Sequence, residues 1–228
     1  MLETTPKTFE VHLASYQGKY EEVKTNVLAN NRLLTAVDDS GRQPLHWAAC
    51  GGHEELASFF IEHGAPVDKA DDSGWTPLMI AASAGREQVV RLLIGRGANI
   101  NRQNNEGHSA LQYAASKNHH EIVAILMDNW ADVNLQDKLG ATPLHRAASK
   151  GNMSALAPIV QCNRCSFNLQ DSEGNTPLHL ACEEERLEVV RLLLEHGASS
   201  QIINKAGKTP FEMTSCPSIR RLEQMNEM

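Results

Sequence analysis

A chain of 228 residues that is 41% hydrophobic but only 5% aromatic can bury a sizeable core, and an aromatic-poor core rich in Ala and Leu points to packed helices rather than a β-sandwich. A formal net charge of −7 sets the chain against nucleic acid as its main partner, because phosphate binding needs a basic surface. No apolar run approaches the roughly 20 residues of a membrane span, and the five scattered cysteines, an odd set, make no disulfide framework. The opening MLETTPKTFEV lacks the basic-then-apolar order of a signal peptide, so the expected location is cytoplasmic and nuclear, with no membrane partner. Residues 8–38 then fit a polar-faced helical pair.

From residue 39 the chain repeats itself. SGRQPLHWAACGGHEEL, SGWTPLMIAASAGREQV, EGHSALQYAASKNHHEI, LGATPLHRAASKGNMSA and EGNTPLHLACEEERLEV align, and a truncated AGKTPFEMTS follows. Their glycines, Gly41, Gly74, Gly107, Gly140, Gly174 and Gly207, are spaced by 33, 33, 33, 34 and 33 residues. This is the ankyrin period with its T-P-L-H-x-A signature. The fold expected is an all-α ankyrin-repeat solenoid of about seven repeats, one domain over residues 1–228. It divides into an N-terminal cap repeat (8–38), five full repeats (39–204) and a C-terminal cap (205–228).

Within each repeat the physics is legible. Gly supplies the positive-φ position of a tight turn. Thr76, Thr142 and Thr176 can N-cap a short inner helix, with Pro77, Pro143 and Pro177 at its first position, where no N–H is needed. A second helix with apolar residues at helical spacing follows, and His63 and His196 close two of these helices just before a glycine. No repeat buries its own apolar face, so stacking must supply the stability. The fourth full repeat departs from this pattern. Pro158 falls inside its second helix and one residue is inserted between Gln161 and Ser166, which predicts a broken outer helix beside an intact inner face.

Several residues tempt a catalytic or metal reading. His46, His145 and His179 recur in Leu-His pairs, but a His at a fixed repeat position is expected to hydrogen-bond between turns, and Met79 and Gln112 take its place in two repeats. Cys162 and Cys165 form a C-x-x-C with no second ligand pair at zinc spacing. Cys50 and Cys182 fall near the repeats' Ala positions, and His119 and His120 point apart on a helix. Leu180-Ala181-Cys182-Glu183-Glu184 matches L-x-C-x-E, a short motif for retinoblastoma-type proteins, yet two of its members are repeat positions that should pack. The expectation is a non-enzyme with no catalytic residues, no metal and no cofactor.

What remains is surface. In this kind of repeat the turn tips and the end of the inner helix face the concave side. Read repeat by repeat, those positions are Asp39, Arg42 and Trp47; Asp72 and Trp75; Glu106, Tyr113 and Lys117; Lys138, Arg146 and Lys150; Glu173, Glu183 and Glu184; then Lys205 and Lys208. The order is acidic, basic, acidic, with the aromatics toward the N-terminal half. Trp and Tyr are enriched in binding hot spots, so a protein-binding groove is expected. The residues expected to line it are Asp39, Arg42, Trp47, Asp72, Trp75, Tyr113, Lys117, Arg146, Lys150, Glu173, Glu183 and Glu184.

DDSGWTPLMIAASAGR, YAASKNHHEIV, LHRAASKGN and LQDSEGNTPLHLACEEER fix variable surface positions as well as the repeat grammar. On these strings the chain resembles the gankyrin family of proteasome regulatory-particle assembly chaperones, over roughly residues 9–215. The resemblance implies a monomeric chaperone that holds the C-terminal domain of a proteasomal AAA ATPase subunit in its concave groove. It implies contacts by Arg42, Trp47, Asp72, Trp75, Lys117, Arg146 and the Glu183-Glu184 pair. Family members are also linked to a retinoblastoma-type protein, a cyclin-dependent kinase and an ubiquitin ligase, so a cell-cycle adaptor is the alternative. Pro158, the inserted residue and the tail after Pro210 depart from the family pattern.

Overall fold

The computed structural model describes residues 6–226. Its elements are helices in pairs, and no strand occurs among the described residues. The chain divides into two compact units, residues 1–105 and 106–228. In the first, α1 (Pro6–Gln17) and α2 (Tyr20–Ala29) form the N-terminal pair, closed by a 3-10 turn (Asn31–Thr35). The full repeats α3 (Pro44–Gly51) with α4 (Glu54–Glu62), and α5 (Pro77–Ser83) with α6 (Glu87–Gly95), follow. The second unit holds α7 (Ala110–Ser116) with α8 (His120–Asp128), α9 (Pro143–Lys150) with α10 (Met153–Val160), and α11 (Pro177–Glu183) with α12 (Leu187–Glu195). A 3-10 turn (Pro210–Met213) and α13 (Pro217–Asn226) end it.

Within each unit the odd-numbered helices up to α11 stack into an inner layer and the even-numbered ones into an outer layer, which α13 joins by packing on α12. α1 packs on α3 and α3 on α5; α7 packs on α9 and α9 on α11. Small residues permit this close approach. Leu45, Ala48 and Ala49 recur as Leu78, Ala81 and Ala82, then Leu111, Ala114 and Ala115, then Leu144, Ala147 and Ala148, all buried. In the last repeat Cys182 takes an Ala place and is buried with Leu178 and Ala181. The outer helices bury Leu56 and Phe60, Val90 and Leu93, Val123 and Leu126, Leu156 and Ile159, and Val190 and Leu193, one stripe each.

The inner helices start as the sequence predicts. The hydroxyls of Thr76, Thr142 and Thr176 accept the N–H groups of Met79, His145 and His179, and Ser109 does the same for Gln112. The turns that precede them are knitted by backbone: the N–H of Asp72 donates to the Ser40 carbonyl, and in the second unit those of Lys138, Ser172 and Lys205 donate to Glu106, Leu139 and Glu173. Glycine is required at these turns for contact as well as for torsion. At Gly107, with φ of +81°, a Cβ would lie 2.7 Å from the Lys138 backbone nitrogen.

The fourth full repeat corrects one expectation. α10 runs through Pro158 to Val160 without a break. Pro158 stands in the last turn, so only the bond to the Ser154 carbonyl is forfeited. The extra residue is taken up afterwards in a turn in which the Cys165 N–H donates to the Cys162 carbonyl at 2.9 Å.

Candidate functional site

The candidate site is built on an acidic or amide residue that stands three places before each turn glycine. Asp71 accepts the N–H groups of Ser73 and Trp75 on one oxygen, at 2.9 and 2.8 Å. Asp38, Asp137, Asp171 and Asn204 hold their own turns in the same way. This leaves the second carboxylate oxygen free to act on the face where the turn tips and inner helices meet.

In the first unit that oxygen organises two of the predicted residues, Arg42 and Trp47. Asp71 Oδ2 accepts from Arg42 Nε at 2.9 Å, with the carboxylate 1% exposed and the arginine side chain 33%. Asp38 Oδ2 accepts from the Trp47 indole at 2.9 Å, and the Arg42 guanidinium lies 5.7 Å from the Trp47 ring centroid. Burial alone would raise the Asp38 carboxyl, but the Arg42 and Ser40 N–H groups, the Trp47 indole and His12 together hold it below the usual carboxylate range. Asp39 and Asp72 are exposed at the tips, and Trp75 is half-buried beside Asp71. Tyr16 of α1 meets Trp47 edge-on at 6.1 Å and extends the aromatic surface onto the N-terminal pair.

In the second unit Asp137, 1% exposed, receives two groups of the Arg146 guanidinium and lies 3.4 Å from His108 Nε2. The Tyr113 hydroxyl sits 3.2 Å from the other His108 nitrogen, so Tyr113, His108, Arg146 and Asp137 form one network. Burial and then the neighbouring Arg146 cation push His108 below its ordinary value, against the pull of Asp137. Lys117 and Lys150 end α7 and α9 as exposed cations, and Glu173 is exposed at its turn. Glu183 and Glu184, both exposed, end α11. Arg186 approaches Glu184 at 3.7 Å and donates to the Ser149 carbonyl of the preceding repeat at 3.2 Å.

Sequence reasoning named the exposed neighbours and missed Asp38, Asp71 and Asp137 that set their geometry. The signal was there to find: in each repeat an Asp or Asn precedes the turn glycine by three. Arg42 and Arg146 are thus held by buried carboxylates within their own unit, with one face of each left accessible.

The recurring histidines are structural. His145 Nδ1 accepts the Thr142 N–H at 3.1 Å, and its Nε2–H donates to the Asn175 carbonyl of the next repeat at 3.0 Å. His179 repeats this between Thr176 and Lys208, and His46 accepts from the Gln43 N–H. Cys162 and Cys165 are free and half-buried, and burial pushes the Cys165 thiol up to about 12, away from thiolate chemistry. No group of three or more His, Cys, Asp or Glu that could hold a metal occurs among the described residues. No helix among them is long and apolar enough to cross a membrane.

Stacked helical pairs with a polar, aromatic-bearing inner face define a fold of the interaction-scaffold kind. The chain belongs to the ankyrin-repeat family: a family model described as "Ankyrin repeats (3 copies)" matches residues 11–104, 96–160 and 144–223. A 53-residue segment is 48% identical to the human "26S proteasome non-ATPase regulatory subunit 10". That segment is 23% of this chain and 24% of the human protein, so the aligned stretch is about a quarter of each and far shorter than the resemblance read from the sequence. Among solved structures, the human ASB11 ankyrin repeat domain superposes with a TM-score of 0.85 at 26% identity, covering 96% of this chain and 97% of that one. The ankyrin repeat domain of Bcl-3 superposes at 0.82 with 24% identity over 94% of this chain and 97% of its own, a likeness of fold alone.

Proposed function

We propose that this chain is a non-enzymatic assembly chaperone of the proteasome regulatory particle, a monomer of cytoplasm and nucleus that holds the C-terminal domain of a proteasomal AAA ATPase subunit. The observation that carries this reading is the segment 48% identical to a proteasome non-ATPase regulatory subunit. Supporting it, the first unit offers Asp39, Arg42, Trp47, Asp72 and Trp75 as contacts, and the second offers Tyr113, Lys117, Arg146, Lys150, Glu173, Glu183 and Glu184. A retinoblastoma-type partner is less well supported. Cys182, the centre of L-x-C-x-E, is 0% exposed inside α11, so the motif is not available as an extended peptide.

The test is a calorimetric titration with an isolated ATPase C-terminal domain. Reversing Glu183 and Glu184 together to Lys is expected to weaken the complex by about 2–5 kcal/mol, as altering interfacial charge does. Glu87→Lys with Glu121→Lys, on the outer helices, should leave affinity within a few-fold. The melting temperature of both variants should stay near the parent's, because surface changes usually fall within about 0.5 kcal/mol. Parent-like binding by the Glu183/Glu184 variant would reduce these carboxylates to a solvated helix end.

A further inference from the structure

α1 carries an exposed apolar stripe in addition to the face it buries. Its buried face, Val11, Ala14 and Ser15, packs on α3. A second apolar stripe, Phe9, Leu13 and Tyr16, runs along the same helix at i, i+4 and i+7, and these side chains are 67%, 44% and 45% exposed. With Trp47 they wall a cavity of about 290 Å³, whose remaining lining includes His12, Asp38, Asp39 and Ser40. That volume sits at the lower edge of the roughly 300–1,000 Å³ typical of small-molecule sites, room for one or two side chains rather than a cofactor.

The chemistry of the walls selects the occupant. The apolar side is a ridge along a helix about 10 Å long from Phe9 to Tyr16, which matches another helix better than an extended strand. The opposite rim is acidic: Asp39 is exposed, and Asp38 is ionised while it holds the Trp47 indole. The nearby cation, Arg42, is committed to Asp71.

We propose that this pocket docks an amphipathic helix of a partner protein, which inserts an aliphatic or aromatic anchor between Phe9, Leu13, Tyr16 and Trp47 and sets a neighbouring Lys or Arg against Asp39. Asp39 and Trp47 belong also to the face described above. Phe9, Leu13 and Tyr16 extend that face along α1, so the inference rests on reading it as a binding face, while its test with designed peptides succeeds or fails without an ATPase domain.

Two designed helical peptides with the same Leu/Phe stripe, one flanked by Arg and one by Glu, test it against the full chain. The Trp47 indole N–H resonance reports the pocket. The Arg peptide should shift that resonance on saturation and bind at least about ten-fold more tightly than the Glu peptide. Phe9→Ser with Leu13→Gln should weaken it by about ten-fold or more, and Asp39→Lys should reverse the preference. All three side chains are exposed, so melting temperatures should not move. Equal binding of the two peptides, no binding of either, or parent-like binding by the Phe9/Leu13 variant overturns the proposal. So does a concentration-dependent dimer of the parent that the same variant abolishes, since a second copy would then cover the stripe.

Discussion

Among the described residues, three other than glycine adopt positive φ: Asn118 at 61°, Trp130 at 66° and Glu185 at 54°. Asn118 and Glu185 occupy the turn between inner and outer helix, where other repeats have Gly52, Gly85 and Gly151. Asn tolerates this region better than most side chains, and here its amide oxygen accepts the Ala155 N–H of the next repeat at 3.1 Å. Glu185 has only a 3.4 Å contact from the Ser215 hydroxyl and stands third in a row of carboxylates. Left-handed backbone costs a side chain about 1–2 kcal/mol, partly offset by the greater chain entropy that glycine loses on folding. Glu185→Gly should therefore stabilise the chain by about 0.5–1 kcal/mol and raise its urea midpoint without changing the slope. A lowered midpoint would mean the Glu185 side chain does something its contacts do not reveal. At this scale the sequence is legible in part. That Glu183 and Glu184 are exposed follows from the repeat register. That Arg42 is half spent on Asp71, 29 residues away, does not, because the pair meets only when two repeats stack.

At the scale of the element, the caps carry most of what the sequence says. Ser109, Thr142 and Thr176 each close a reciprocal capping box, the last two with His145 and His179 as the returning side chain. The short inner helices of the full repeats, seven or eight residues, would be marginal alone and begin where these caps place them. α10 shows the limit of such reading. A proline inside a helix predicts a break, but its neighbours Leu156 and Ile159 are wholly buried, and that burial holds the backbone helical through Pro158. Restoring the N–H with Pro158→Ala should stabilise the chain by about 1–2 kcal/mol, less than the roughly 3 kcal/mol of a helix interior because one late bond is regained. Thermal melts decide it, and a destabilised variant would show that the ring's packing outweighs the missing bond.

At the scale of the whole molecule, the histidines tie stability to pH. His46, His145 and His179 are buried, and burial lowers each below the ordinary 6.5 against the pull of nearby acids and carbonyls. The unfolded chain then binds protons first as pH falls through 6.5, so stability is full above that value and is lost below it, until the depressed folded values are passed. Each histidine contributes up to about 1.4 kcal/mol per pH unit in that window. Urea midpoints at pH 7.5, 6.5 and 5.5 should dip slightly between the first two, since the unfolded rings are half protonated at 6.5, and fall sharply at the third. A midpoint unmoved at pH 5.5 would mean these rings are protonated in the folded chain. The sequence by itself determined the period, the helix starts, the glycine turns and the line of exposed charges. These rest on torsion, capping and apolar spacing, which act within a few residues. Only the tertiary structure decided that Asp71 and Asp137 orient Arg42 and Arg146, that α10 survives its proline, and that α1 leaves a second apolar stripe beside Trp47. Each of these depends on a neighbour brought close by stacking, and no local pattern in the chain encodes that distance.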